Sequence, residues 1–233
     1  MPPFRTVPAS RGAWVLAGTL ALLVAAPSLA RANGDPAASG PPTVFERFVL
    51  WACSPCVRES YPVTSLAVAP LTLSGFPRLA AGASRPGEIT IDVLRAQQPG
   101  RPGWTSLALR VTLSVMTGPG GETYRLGTGL LDAVDVPALA QAVADMAGFS
   151  TPPAANSSAD SVDIDFHGGS LRVGVLRMRG DAVAYVQTGD LPTLMQRAVW
   201  EIPTTLYLLV KDLPALAAAL GQAAAIIEKV RGQ

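Results

Sequence analysis

The chain has 233 residues, with 18 basic against 17 acidic residues and a formal net charge of +1. Such balance, without a run of Lys or Arg, argues against nucleic-acid binding and against a polybasic membrane-surface patch, because both depend on clustered cations. His167 is the one histidine, which excludes multi-histidine zinc sites and makes any Ser-His-Asp triad depend on that residue.

The chain opens on a segment patterned for export. Arg5 and Arg11 supply a positive leader, and residues 13–26 (AWVLAGTLALLVAA) form an uncharged apolar core. That core is short for a membrane span and suits a signal peptide. Pro27 breaks it, and Ser28-Leu29-Ala30 or Ala30-Arg31-Ala32 offers small residues at the two positions a signal peptidase reads, so residues 1–32 are expected to be removed. Their loss takes away Arg5, Arg11 and Arg31 and no acid, leaving 15 basic against 17 acidic residues and a net charge of −2. The mature chain is expected in the periplasm or outside the cell, and membrane contact is expected only through the leader before cleavage.

Residues 33–43 (NGDPAASGPPT) are small, polar and rich in Pro and Gly, as a disordered linker would be. The next stretch, 43–52, suits a helix with Thr43 as cap and with Phe45, Phe48, Val49 and Ala52 on one face. It leads into Cys53-Ser54-Pro55-Cys56, the chain's only cysteines, which should be oxidised to each other in an exported protein. The pair has two readings. One is a small-loop disulfide that pins the N-terminal segment, worth about 2 kcal/mol on the chain-entropy model; the residues favour it, since 63–68 turns strand-like soon after Cys56. The other is thiol–disulfide exchange, which needs a first thiol of depressed pKa.

The local text resembles the thioredoxin superfamily: Trp51, then Cys-Ser-Pro-Cys, then Arg58-Glu59, with Ile202-Pro203-Thr204-Thr205 far downstream. The resemblance implies that Cys53 is the nucleophile, Cys56 the resolving thiol and Pro203 a cis proline facing them.

Further along, Glu88–Leu94 alternates polar and apolar residues, and Thr105–Val115 reads as a longer strand before a turn at 118–121. An apolar run then reaches Asp135-x-Pro137 and a helix with Val136, Leu139, Val143 and Met146 on one face, stopping at Gly148. Residues 150–161 (STPPAANSSADS) form a second linker. Beyond it, Val162–Phe166 and Ser170–Met178 flank Gly168-Gly169 as a hairpin, and Ala182–Thr188 adds a strand. A second helix starts after Asp212-x-Pro214, with Leu213, Leu216, Leu220, Ala224 and Ile227 on one face. The two helix starts align at an offset of 77 residues, with Asp135 and Asp212 placed as N-caps. The alignment reads either as an internal duplication or as two similar strand-to-helix transitions in one fold.

Asp163, Asp165 and His167 alternate along one strand and so share a face. Two carboxylates and an imidazole there suit a divalent metal or acid–base work; the simpler reading is the wet face of a hairpin. With no nucleophile elbow and no His-Glu-x-x-His motif, no cofactor or resident metal is expected.

The sequence thus predicts an α+β protein: antiparallel strands in two β-rich units (44–149 and 162–233), each closed by an Ala-rich amphipathic helix. It reads as a binding or structural module rather than an enzyme, with a periplasmic thiol–disulfide oxidoreductase as the rival. The partner expected is a protein or a small apolar ligand held between sheet and helix. Small Ala faces also allow a homodimer through residues 213–230.

Overall fold

The computed structural model describes residues 43–71, 85–101, 103–117, 122–148, 161–178, 181–189 and 205–233. The leader, most of both linkers, the 118–121 turn and Pro203 lie outside them.

The described chain is α+β. Two four-stranded antiparallel sheets form as meanders, with strand orders β1-β2-β3-β4 and β5-β6-β7-β8. Sheet A comprises β1 (Val57–Val68), β2 (Gly87–Gln97), β3 (Thr105–Thr117) and β4 (Glu122–Asp132). Sheet B comprises β5 (Ser161–Gly168), β6 (Leu171–Met178), β7 (Asp181–Thr188) and β8 (Thr205–Leu208). Each sheet is followed by one turn of 3-10 helix, Ala133–Asp135 or Val210–Asp212, and then by a longer helix. These are α2 (Val136–Gly148) and α3 (Leu213–Arg231). A short α1 (Val44–Arg47) running into a π-helical turn (Phe48–Ala52) precedes sheet A.

Strand alternation fixes which face turns inward. In sheet A the rung Tyr61–Val93–Leu109–Leu131 crosses all four strands, and in sheet B the corresponding rung is Ile164–Val175–Ala184–Leu208. Both rungs belong to one hydrophobic core, into which both helices also pack. The helices are exchanged between units: α2 lies on β5 and β6, whereas α3 lies on β1, β2 and β3, and the two pack on each other. Each helix therefore covers the sheet of the other unit. Neither unit can bury its apolar face alone.

By length and hydropathy α3 and its lead-in could cross a membrane, but its apolar side is spent in this core, with Leu213, Leu216, Leu220 and Ile227 all buried. The small-residue helix considered above for dimerisation packs on α2 within the chain.

The expected capping by Asp212 is corrected. Asp212 does occupy the N-cap position of α3, but it is αR and its side chain makes no cap hydrogen bond. A side-chain cap normally needs extended backbone at that residue, and here the preceding 3-10 turn removes it. Asp135 ends the equivalent turn before α2.

The sheets meet where β4 passes the β5–β6 turn. Leu130 N–H donates to Ser170 Oγ at 2.8 Å, and Ser170 N–H donates back to the Leu130 carbonyl at 3.0 Å. Gly169 makes this approach possible. Its φ of +55° suits glycine, and a Cβ there would collide with the Leu130 carbonyl.

Candidate functional site

The N-terminal segment is held on the outer face of sheet A by side chains that recognise its backbone. Thr43 and Glu46 form a reciprocal capping box, with Glu46 N–H donating to Thr43 Oγ1 at 3.1 Å and Thr43 N–H donating to Glu46 Oε2 at 2.6 Å. Asp132, at the end of β4, accepts from Val44 N–H at 2.8 Å and Phe45 N–H at 3.0 Å. A carboxylate thus sits on the first free N–H groups of α1, where negative charge is favoured. Phe45 then packs with Ala96, Ala108 and Leu130, joined by Phe48, Val49, Leu94 and Cys56.

The segment ends in the Cys53–Cys56 disulfide. Cys53 is buried and Cys56 half-buried. The chain leaves Cys56 directly into β1, so no helix begins at the pair to lower a thiol pKa by its N-terminal dipole. Gln98 of the β2–β3 hairpin donates from Nε2 to the Ser54 carbonyl at 3.4 Å, tying the loop to the neighbouring strand end. Pro203, the third residue of the thioredoxin-like reading, lies outside the described residues.

Asp163, Asp165 and His167 do share the outer face of sheet B, and a guanidinium stands between the carboxylates. Arg172, on the adjacent strand and in register with His167, donates from Nε to Asp165 at 2.7 Å and from Nη2 to Asp163 at 3.1 Å. Tyr185 completes the group, its hydroxyl donating to Asp163 Oδ1 at 3.0 Å. The Arg172 guanidinium lies 5.5 Å from the Tyr185 ring centre. Gly174 makes room for that ring, because a Cβ there would lie 2.6 Å from Tyr185 Cζ. Burial pushes the Asp163 carboxyl above its ordinary pKa, against the lowering pull of the Tyr185 hydrogen bond and of Arg172. Burial, then the Asp163 charge, pushes the Tyr185 hydroxyl well above its own. Arg172 supplies the positive charge a metal would have brought. Among the described residues no group of three His, Cys, Asp or Glu side chains is placed to hold a metal ion.

A cavity of about 480 Å³ opens where the β2–β3 end of sheet A meets the last turn of α3. Arg95, Leu107, Asp132, Val134, Val230 and Arg231 are among its walls. Its volume is that of a small-molecule site. Val134 is an exposed apolar side chain at its edge. Arg95 extends the inward face of β2 beyond Ile89, Ile91 and Val93, and its side chain is only 13% exposed. Nη1 reaches Glu59 at 3.3 Å, yet the buried Nε has no partner. A buried donor without an acceptor costs about 1–3 kcal/mol, and with under 1 Å² of its own surface accessible Nε would meet an acceptor in the cavity only if the Arg95 side chain turned. Asp132 also lines the cavity, but its two oxygens are taken by the α1 backbone.

Neither Arg95 nor Arg231 was singled out by motif. The available signal was positional: alternation through 89–95 places Arg95 on the face whose other members are apolar. Arg231 gave no signal, because its partner surface comes from the other unit. Comparison with protein-family models finds no match, and comparison with curated proteins finds none either.

Proposed function

We propose that the protein is an exported, non-enzymatic binding module that takes a small ligand with an apolar body and an anionic group into the cavity between sheet A and α3. The observation that carries this is a ligand-sized cavity whose wall combines apolar side chains with the cationic Arg95. An anionic oxygen would form a charge-assisted bond to the Arg95 guanidinium once that side chain turns toward it, relieving the unpartnered Nε. Leu107, Ala133, Val134 and Val230 would receive the apolar body. The similar sheet-and-helix units fit an internal duplication in which only the first copy acquired the site.

The test is a thermal-shift screen of short aliphatic and aromatic carboxylates beside their uncharged amides. A carboxylate at about a hundred times its Kd should stabilise by about 2.7 kcal/mol, its amide much less, and Arg95→Gln should remove the difference. Equal shifts for acid and amide, or no shift from any carboxylate, would reject the site. Export is checked separately, by fractionation and by the N-terminal mass of the product, expected to begin near residue 31 or 33.

A second reading, thiol–disulfide exchange at Cys53–Cys56, is supported by the half-buried Cys56 at the edge of the molecule. A reduction potential between about −120 and −270 mV would favour it, whereas one below about −300 mV would mark a staple.

A further inference from the structure

The sequence contains no basic run, but the fold gathers arginines that are far apart in the chain. Val57, Gln97 and Thr105 form one rung at the end of sheet A, and Gln98 N–H donates to the Trp104 carbonyl at 3.1 Å one position beyond it. The Cys53–Cys56 loop is tied to the same Gln98. Neighbouring strands lie about 4.8 Å apart, so the π-helical turn, the disulfide loop and the β2–β3 hairpin make one pole of the molecule.

That pole exposes Leu50 (69%), Trp51 (74%), Val57 and Trp104. Arg47, Arg58 and Arg101 are exposed among them. The nearby acids are already engaged: Glu46 is buried in the capping box, and Glu59 holds Arg95 and the Tyr61 hydroxyl. Among the described residues, none of the three arginines has an ion-pair partner. The Arg101 guanidinium lies over the Trp104 ring, 4.9 Å from its centre.

We propose that this pole docks on an anionic lipid bilayer, with Trp51, Trp104 and Leu50 entering the headgroup region and Arg47, Arg58 and Arg101 facing lipid phosphates. Two features select that occupant. Tryptophan prefers the membrane–water interface, where its ring is half apolar and its N–H stays hydrated. Arg47, Arg58 and Arg101 carry positive charge that no ion pair among the described residues takes up, the complement of an anionic headgroup layer. The proposal does not rest on the cavity's ligand, although Gln97, Gly103 and Thr105 line the cavity as well as the pole.

The mature chain, residues 33–233, is mixed with phosphatidylglycerol-containing or pure phosphatidylcholine vesicles and sedimented. Binding to the anionic vesicles alone, weakening as salt is raised, is expected. Arg47→Gln/Arg58→Gln/Arg101→Gln should weaken it on the order of 100-fold, and Trp51→Ser/Trp104→Ser at least about tenfold. Both variants should keep the circular dichroism of the parent. Should a variant fail to fold, quenching of the parent's tryptophan emission by brominated phosphatidylglycerol decides the matter, and its absence overturns the proposal. Absence of binding to anionic vesicles at low salt, or binding that both folded variants retain, overturns it too. A protein partner held without lipid and lost in the same variants would assign the pole to a protein interface instead.

Discussion

Sheet A and sheet B present the same kind of inner face to the shared core, rung for rung, but their outer faces have been put to different uses. On sheet A the outer face is covered at one end by the α1 segment, seated on Ala96, Ala108 and Leu130. Further along, Arg110 binds Asp92 at 2.9 Å and Ser60 at 3.1 Å. On sheet B the outer face carries the Asp163–Arg172–Asp165 clasp under Tyr185, and Leu71 packs beside it on Val183, Leu176, Tyr207 and Leu209. The inner faces thus serve stability, and what distinguishes the two similar units lies on their outer faces. The cavity and the tryptophan-bearing pole both belong to the sheet that received the extra segment.

The largest expected effect tests the shared core. Leu139 of α2 and Leu216 of α3 occupy matching positions and are both buried, one facing sheet B and the other sheet A. Replacing either with alanine should cost about 2–5 kcal/mol. Because each helix covers the other unit's sheet, both variants should still melt in one transition by calorimetry. Two separated transitions in either would break the picture of exchanged helices.

A smaller effect separates the outer faces. Asp132→Asn keeps the shape but puts an amide N–H₂ against one of the two backbone N–H groups that the carboxylate now receives. The loss should be about 1–2 kcal/mol, and hydrogen exchange should quicken across residues 44–52 while sheet B stays protected. Uniform quickening would mean that the N-terminal segment belongs to the core and is not an addition to it.

Much of this architecture was legible in the chain. Alternation marked β2, β3, β5, β6 and β7, since half-buried strands must repeat every two residues, and the Asp-x-Pro signals marked both helices. β4 was harder to read, because Gly127 and Gly129 interrupt its pattern; at Gly129 a side chain would press on the Ser170 carbonyl of the other sheet. Helix exchange leaves no trace in local periodicity, because an amphipathic helix has the same pattern whichever sheet it covers. The Asp163–Asp165 pair was readable as a shared face, whereas its cation was not, since Arg172 arrives through strand register. Cys53–Cys56 was readable as a bond, but the pole around it is assembled from residues some fifty positions apart and no local window contains it.

The smallest expected effect concerns the titrating groups on the outer face of sheet B. Tyr185 has its hydroxyl pKa raised above the ordinary 10.0, chiefly by burial. Above about pH 10 the unfolded chain therefore releases this proton while the folded chain keeps it, so stability falls as pH rises. Asp163 is raised above 3.8, again chiefly by burial. Its contribution is greatest in acid and declines as pH climbs through the raised value, for the same reason of sign. Tyr185→Phe should act on the two limbs oppositely. It removes one alkaline proton, so the decline beyond pH 10 becomes shallower, though Tyr61, raised by its bond to Glu59, and Tyr207, raised by burial, still contribute. It also removes the hydrogen bond that holds Asp163 down, so the decline above about pH 4 becomes steeper. Urea melts across pH 3–11 would read both slopes. If the variant changes neither, the clasp is solvated surface and carries none of the difference between the two sheets.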